Sequence, residues 1–226
     1  MKERAIVLLS GGVDSAVALW WTQKKGSDII ALGFKYKGKP QGECVAFLKL
    51  CRAVNVKHKL ELDLPISVSS NDAKECNGGK LSVGFIAMRN LIYYSVAASV
   101  AEKYDARWLV GGHLRTDSID FSDASVEYFR QLDKLINYGN KRRTYKIALP
   151  FIKYTKQDVI RIGAKMNVPF NITWSCFRNS SKHCGRCHSC VDRAKAFQVA
   201  GVVDPVFGAE RQNVIANSIT TIIKGV

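Results

Sequence analysis

Short apolar runs alternate along this chain with stretches of three- and four-residue periodicity, the pattern of buried strands joined by amphipathic helices. Arg4 to Leu9 reads as a buried strand, and a helix over Val13 to Gln23 starts directly after a pair of glycines. Ile29 to Tyr36 reads as a second strand, after a turn at Gly26 and Ser27. Cys44 to Val54 is expected to be helical, with Val45, Leu48 and Ala53 on or near one face. Val56 to Leu62 is strand-like, a polar loop runs from Ser67 to Lys80, and Ile86 to Glu102 reads as a long helix. Trp108 to Val110 is a short buried strand. The spacing of Val126, Phe129, Leu132 and Ile136 predicts a helix over Asp123 to Tyr138. Lys146 to Leu149 is a last short strand, and Thr155 is placed to cap a helix over Lys156 to Met166. A helix over Val191 to Ala200 stops at Gly201. The tail, Glu210 to Lys224, sets Ile215, Ile219, Ile222 and Ile223 on one stripe, to pack on its own domain or on a partner. Strands alternating with helices specify an α/β class with a Rossmann-like parallel sheet flanked by helices.

Composition narrows this. The 226 residues are 47% hydrophobic, enough for one substantial domain with a full core. We divide them into an α/β domain over 1–165 and a C-terminal region over 166–226, packed as one unit. Lys and Arg number 34 against 19 acidic residues, a net charge of +15. That excess predicts an anionic ligand or partner: a nucleotide, a nucleic acid or an acidic protein surface. The apolar run Ala5 to Leu9 is too short for a secretory signal, and no stretch has membrane-spanning length. Seven cysteines, an odd number, suit a reducing cytosol better than a disulfide framework, so a cytoplasmic location is expected.

The chemistry is concentrated in two segments. The first is Leu8-Leu-Ser-Gly-Gly-Val-Asp-Ser-Ala16. A strand delivers the chain to a turn and a helix begins at once, so unpaired backbone amides and the helix dipole favour an anion there. Gly11 and Gly12 let backbone approach phosphate oxygens, and Ser10 and Ser15 add hydroxyl donors. Asp14 would repel phosphate by itself, and makes sense as a magnesium partner or as a cap for neighbouring amides. A rival, Gly33 to Lys39, fits the first seven positions of a Walker A loop, but Pro40 stands where Ser or Thr must be. We read it as the end of a strand.

The second segment carries Cys176, Cys184, Cys187 and Cys190 in a C-x7-C-x2-C-x2-C pattern. Two-residue spacers turn consecutive thiolates onto one metal, and four thiolates suit tetrahedral Zn2+, with an iron–sulfur cluster the alternative. With no open position such a zinc is structural, and it defines the C-terminal region as a zinc-binding subdomain. His183 and His188 flank the cluster and read as exposed neighbours. Cys44, Cys51 and Cys76 read as core or surface thiols.

The strand–Ser-Gly-Gly-x-Asp-Ser–helix pattern resembles the pyrophosphate loop of the N-type ATP pyrophosphatases, an adenine nucleotide alpha hydrolase-like fold. The resemblance implies attack on the α-phosphate of ATP with release of pyrophosphate. A second set of residues narrows it: Pro150 to Lys156, Gly163, Val168-Pro169, Thr173-Trp-Ser-Cys176, the Cys184–Cys190 spacing, Arg193, Ala196-Phe197, Ala200-Gly-Val202 and Asp204-Pro205. With the glycine loop, these resemble the QueC family of 7-cyano-7-deazaguanine synthases over about Ala5 to Pro205.

That resemblance implies an ATP- and Mg2+-dependent ligase acting on 7-carboxy-7-deazaguanine and ammonia through an acyl-adenylate, and a homodimer is expected. It implies nucleotide contacts from Leu8, Leu9, Ser10, Gly11, Gly12, Asp14, Ser15, Arg89 and Lys156, with Asp14 and Lys156 catalytic. It implies substrate contacts from Arg89, Asn90, Asp117, Phe121, Asp123 and Glu127, the acidic groups accepting from the deazaguanine N–H groups, or capping the helix at Asp123 instead. The chain departs from the family at two places. The usual D-x-S-G-Y-P-D-C-R-x-E-F loop is here Asp117-Ser-Ile-Asp-Phe-Ser-Asp-Ala-Ser-Val-Glu-Tyr128, and the usual Tyr-Gly-Gln-Arg-His run is Tyr36-Lys-Gly-Lys-Pro-Gln-Gly-Glu43. The substrate-reading parts have changed while the ATP and zinc parts are kept. This opens a second reading, a paralogue that stops at an amide or joins a deazapurine to a macromolecule. A third reading, a zinc-braced nucleic-acid-binding module, draws only on the charge.

Overall fold

The computed structural model describes residues 3–67, 75–76, 79–80, 86–140 and 142–217. Five parallel strands form its sheet: β1 (Arg4–Leu8), β2 (Asp28–Lys37), β3 (His58–Ser67), β6 (Trp108–Val110) and β7 (Lys146–Ala148), in the order β3-β2-β1-β6-β7. A two-residue hairpin, β4 (Glu75–Cys76) with β5 (Gly79–Lys80), lies in the polar segment expected as a loop, most of which falls outside the described residues. In register, Ala5 stands opposite Ile29 on one side and Trp108 on the other. The two-residue period then sorts the strands' side chains between two cores. Ala5, Val7, Leu9, Ile29 and Ala31 face one core, built with α1 (Val13–Lys24), α2 (Gln41–Ala53), α6 (Lys156–Lys165) and α7 (His188–Ala200). Ile6, Ile30, Leu32 and Phe34 face the other, built with α3 (Arg89–Tyr104) and α5 (Val126–Tyr138). The first core also takes in Val168, Phe170, Ala196 and Phe197, so packing runs continuously across residue 165. No described helix is long and apolar enough to cross a membrane.

Several elements differ from expectation, and for three of the helices the contacts show why. The helix α2 begins at Gln41, and its buried face is Ala46, Phe47, Leu50 and Cys51, while Val45 and Leu48 are 43% and 42% exposed. Phe47 decides the rotation, because its ring sits on the bare backbone of Gly33. The helix α5 starts at Val126, since the Ser125 hydroxyl accepts from the Tyr128 N–H (3.1 Å); Ser122–Ala124 form a separate 3-10 turn after the short helix α4 (Asp117–Asp120). The helix α7 starts at His188, which puts Cys190 in its first turn, and ends at Gly201 in the left-handed conformation (φ 70°). Thr155 caps α6 as expected, in a reciprocal box with Asp158. In the tail, α8 (Ala209–Asn217) buries Ile215 and Ala216 against Val191, Ala194 and Phe207 of its own chain; Ile219, Ile222 and Ile223 lie outside the described residues.

Candidate active site

The sheet order places a switch point between β1 and β6, where one crossover leads to β2 and the next crosses β1 to reach β6. Ligands of open α/β sheets sit in the crevice at the carboxyl ends of such strands. Here a cavity of about 320 Å³ opens between Leu8–Ser15 and Gly111–Asp117. Two glycines let the walls meet. At Gly11 (φ 95°) a Cβ would lie 2.6 Å from the Glu43 carbonyl oxygen, and at Gly112 a Cβ would lie 2.7 Å from the Asp14 carbonyl oxygen.

Leu8, Leu9, Ser10, Gly12, Asp14 and Ser15 line the cavity, whereas Gly11 is buried and does not. The Ser10 and Ser15 hydroxyls are 3.1 Å apart, and Gly12 N–H donates to Ser10 Oγ (3.2 Å). Gly12, at the N-cap of α1, gives no side-chain cap, which leaves the amides of the first turn facing the cavity for an anion. Asp14 Oδ1 is buried with no hydrogen-bond partner. An orphaned carboxylate oxygen beside a phosphate cradle fits a hard cation such as Mg2+ better than an amide cap. Burial pushes the Asp14 carboxyl up to about 6; Lys156 opposes the rise, and Asp117 and Asp192 add to it. Lys156 does not line the cavity. Its Nζ donates to Asp192 Oδ2 (2.5 Å). Desolvation lowers its pKa, but Asp14 and Asp192 outweigh that and hold it above the ordinary lysine value.

On the far wall, α3 supplies Arg89 and Asn90, delivered by Met88 in a left-handed conformation (φ 54°). Asn90 is buried and tied to Asp123. Its N–H donates to Asp123 Oδ2 (3.1 Å) and its Nδ2 to the Asp123 carbonyl (2.8 Å). Asp123 therefore closes the start of α3, and Ser125, not Asp123, caps α5. Asp117 reaches the cavity and accepts from Leu114 N–H (2.9 Å). Phe121 lies beneath the Arg89 guanidinium (5.5 Å) and outside the lining. Glu127 is exposed, pairs with Arg130 (2.9 Å) and is not brought to the cavity.

Sequence reasoning passed over several lining residues. Phe34 and Tyr93 stack at 4.2 Å, and with Tyr36 they give the cavity a flat aromatic side. His113 is held neutral, its pKa pulled down to about 3 by burial and then by Arg89. Its place directly after Gly111-Gly112 at a strand end was the available signal. Glu43 enters from the first turn of α2. The Walker-like stretch is indeed strand through Lys37; Lys39 Nζ donates to the Phe34 carbonyl (2.7 Å), although Gly38, Lys39 and Pro40 also border the cavity.

Beside this site the Sγ atoms of Cys176, Cys184, Cys187 and Cys190 lie within 4.8 Å of one another, close enough to hold one metal ion. Backbone N–H groups of Arg178 and Cys187 donate to Cys176 and Cys184 sulfurs (3.4 and 3.3 Å). His183 is not the exposed neighbour expected: it packs at a tilt against Trp174 (4.3 Å) and accepts from Ser175 N–H (3.0 Å). His188 is exposed. Trp174 joins the two sites, donating its backbone N–H to the Gly11 carbonyl (2.8 Å) and its indole N–H to the Cys176 carbonyl (2.7 Å).

A parallel sheet of this order, with a glycine–serine turn after its first strand and a cysteine cluster braced against that turn, defines an α/β protein of the PP-loop type. The sequence profile described as "Queuosine biosynthesis protein QueC" matches residues 4–201, and the chain belongs to that family. Relatives named 7-cyano-7-deazaguanine synthase include those of Sulfurovum sp. (34% identical, 91% of this chain and 98% of the relative) and Nautilia profundicola (32%, 90% and 97%). Another, from Picrophilus torridus, is 32% identical over 90% of both chains.

Proposed function

We propose that this chain activates the carboxylate of 7-carboxy-7-deazaguanine with ATP and converts it, with ammonia, to the nitrile. The observation that carries this reading is the buried, unpaired Asp14 oxygen set between the glycine–serine turn and an aromatic-sided cavity. In this reading Ser10, Ser15 and the first amides of α1 bind the β- and γ-phosphates. The substrate carboxylate attacks the α-phosphate, pyrophosphate leaves, and an acyl-adenylate forms. Ammonia displaces AMP to give an amide, and adenylation of the amide oxygen followed by loss of AMP gives the nitrile. A bound Mg2+, held by Asp14, supplies neutralisation of the phosphate charge. Lys156 adds positive charge at the same end of the cavity, and Arg89 and Asn90 face the reacting carboxylate. The four cysteines would hold Zn2+ and leave it no ligand position for chemistry, so the group would brace Trp174 and the turn.

The family relationship supports this chemistry. One observation favours the second reading, a product that stays an amide or becomes a conjugate: Asp123 is committed to α3 and Glu127 to Arg130, so the altered loop offers less to the small substrate. The test supplies enzyme with the carboxylate, ATP, Mg2+ and ammonium. AMP and pyrophosphate release with a nitrile by mass spectrometry is the expected result. An amide as sole product, or a conjugate formed when a macromolecular acceptor is added in place of ammonium, establishes the second reading, and no ATP cleavage overturns both.

The Asp14 carboxyl predicts opposite pH trends for activity and stability. Only its ionised form holds the cation, so kcat/KM for ATP should fall about tenfold per unit as pH drops below about 6. Stability runs the other way. Asp14 ionises near its ordinary value, 3.8, in the unfolded chain and only near about 6 in the fold, so folding loses stability as pH rises between them. The loss is at most about 3 kcal/mol. A pH–rate profile and urea unfolding at pH 4 and pH 7 measure the two arms, with Asp14→Asn as the stability control.

A further inference from the structure

Apart from Asp14, which the proposed function gives to the cation, Glu43 is the acidic group in this cavity that the fold leaves without an occupation. It stands on the first turn of α2, the helix whose N-cap is Pro40, with its carbonyl pressed against Gly11 of the phosphate turn. The backbone there cannot shift without moving that turn, so the side chain is presented from a fixed point. It lines the cavity together with Tyr36, Tyr93 and Arg89. Among the described residues its carboxyl makes no hydrogen bond and no ion pair; Lys39 and Arg89 act on it only from beyond contact distance. The other carboxylates near this wall are engaged, Asp117 by the Leu114 N–H and Asp123 by Asn90. Burial pushes the Glu43 carboxyl up to about 7, against the pull of Lys39 and Arg89. It thus lacks donors that a ligand can supply.

We infer that Glu43 is the specificity-determining residue that reads the heterocycle, accepting the ring N–H and the neighbouring exocyclic amine of a guanine-type edge. The inference rests on the function proposed above and replaces Asp123 and Glu127 in the role expected of them. A carboxylate offers two acceptor oxygens and no donor. A guanine-type edge offers two parallel donors, so the match is bidentate and charge-assisted. A hypoxanthine-type ring lacks the amine, and an adenine-type edge sets a ring-nitrogen acceptor beside its amine, which faces the carboxylate with a lone pair. The stacked Phe34 and Tyr93 rings and Tyr36 supply a flat apolar wall for either ring, so shape alone does not separate them. The discrimination falls to Glu43.

Glu43→Gln tests this with little change of volume. Glutamine keeps one acceptor but turns an N–H2 toward one of the two ligand donors. We expect kcat/KM for 7-carboxy-7-deazaguanine to fall about 100-fold. The analogue lacking the 2-amino group should lose no more than about tenfold, so the preference between the two shrinks about tenfold or more. The dissociation constant for ATP, measured by calorimetry, should stay within about twofold, and the melting temperature should not fall. Equal losses for the two heterocycles, or a loss confined to ATP affinity, overturns the assignment. If the wild-type enzyme turns over neither acid, the proposed reaction fails separately. Calorimetry of 7-deazaguanine against 7-deazahypoxanthine then decides for or against Glu43 directly, by whether the variant erases a wild-type preference for the first.

Discussion

Asp14→Asn is expected to lower kcat/KM for ATP cleavage by about 1,000-fold or more while leaving zinc content unchanged and raising the melting temperature. The three outcomes come from one geometry. Asp14 Oδ1 is buried and unpartnered, and burial raises its carboxyl to about 6. An ionised carboxylate in that position is costly to the fold and useful only when a cation shares its charge. Asparagine is neutral, so the cost disappears and so does the cation ligand. Lys156 keeps its partner Asp192 in the variant, so its own charge stays paired. The cysteine sulfurs belong to a different segment, joined to the turn through Trp174 and Gly11 backbone, which the substitution does not touch. Steady-state AMP release, elemental analysis for zinc and thermal denaturation read the three arms. Normal turnover would remove Asp14 from the phosphate site. A lowered melting temperature with lost activity would make the carboxylate a structural group instead.

Local signals carried most of the fold. The apolar run before Ser10, the glycines after it and the Thr155–Asp158 box each act within a few residues, so their elements fell where expected. The four cysteines were legible as a metal set for the same reason, since they lie within one short segment. What could not be read depended on partners far along the chain. The rotation of α2 follows from Phe47 seating on Gly33, which no periodicity within the helix encodes. Asp123, expected to reach the substrate or else to cap the helix that follows it, serves α3, which precedes it. Glu43, Tyr93 and His113 come from three separate elements, and only the sheet order brings them around one cavity. Charge was the weakest guide: the chain's +15 does not forecast that its cavity gathers Asp14, Glu43 and Asp117.

Asp204→Asn is expected to destabilise the fold by about 3–5 kcal/mol, a fall in melting temperature of roughly 10 °C, although Asp204 touches neither the cavity nor the cysteine sulfurs. Arg193 and Asp204 are both fully buried, and the pair is bidentate: Nε to Oδ2 at 2.7 Å and Nη2 to Oδ1 at 2.9 Å. The guanidinium also donates to the Thr173 hydroxyl (2.8 Å) and the Phe170 carbonyl (2.9 Å). Asparagine leaves a full positive charge in the interior with one weak acceptor in place of a carboxylate, and that imbalance is what makes breaking such a pair costly. Replacing both partners, in Arg193→Met with Asp204→Leu, removes the charge with its counter-charge and should recover most of the stability. It should not recover ATP affinity. Arg193 fixes Thr173, the next residue is Trp174, and Trp174 N–H holds the Gly11 carbonyl, so an apolar pair that packs well still loosens the chain segment behind the phosphate turn. Urea unfolding of both variants with zinc bound, beside ATP binding by calorimetry, separates the two effects. A double variant that restores affinity as well as stability would show that Arg193 only fills the core, and that the turn is positioned without it.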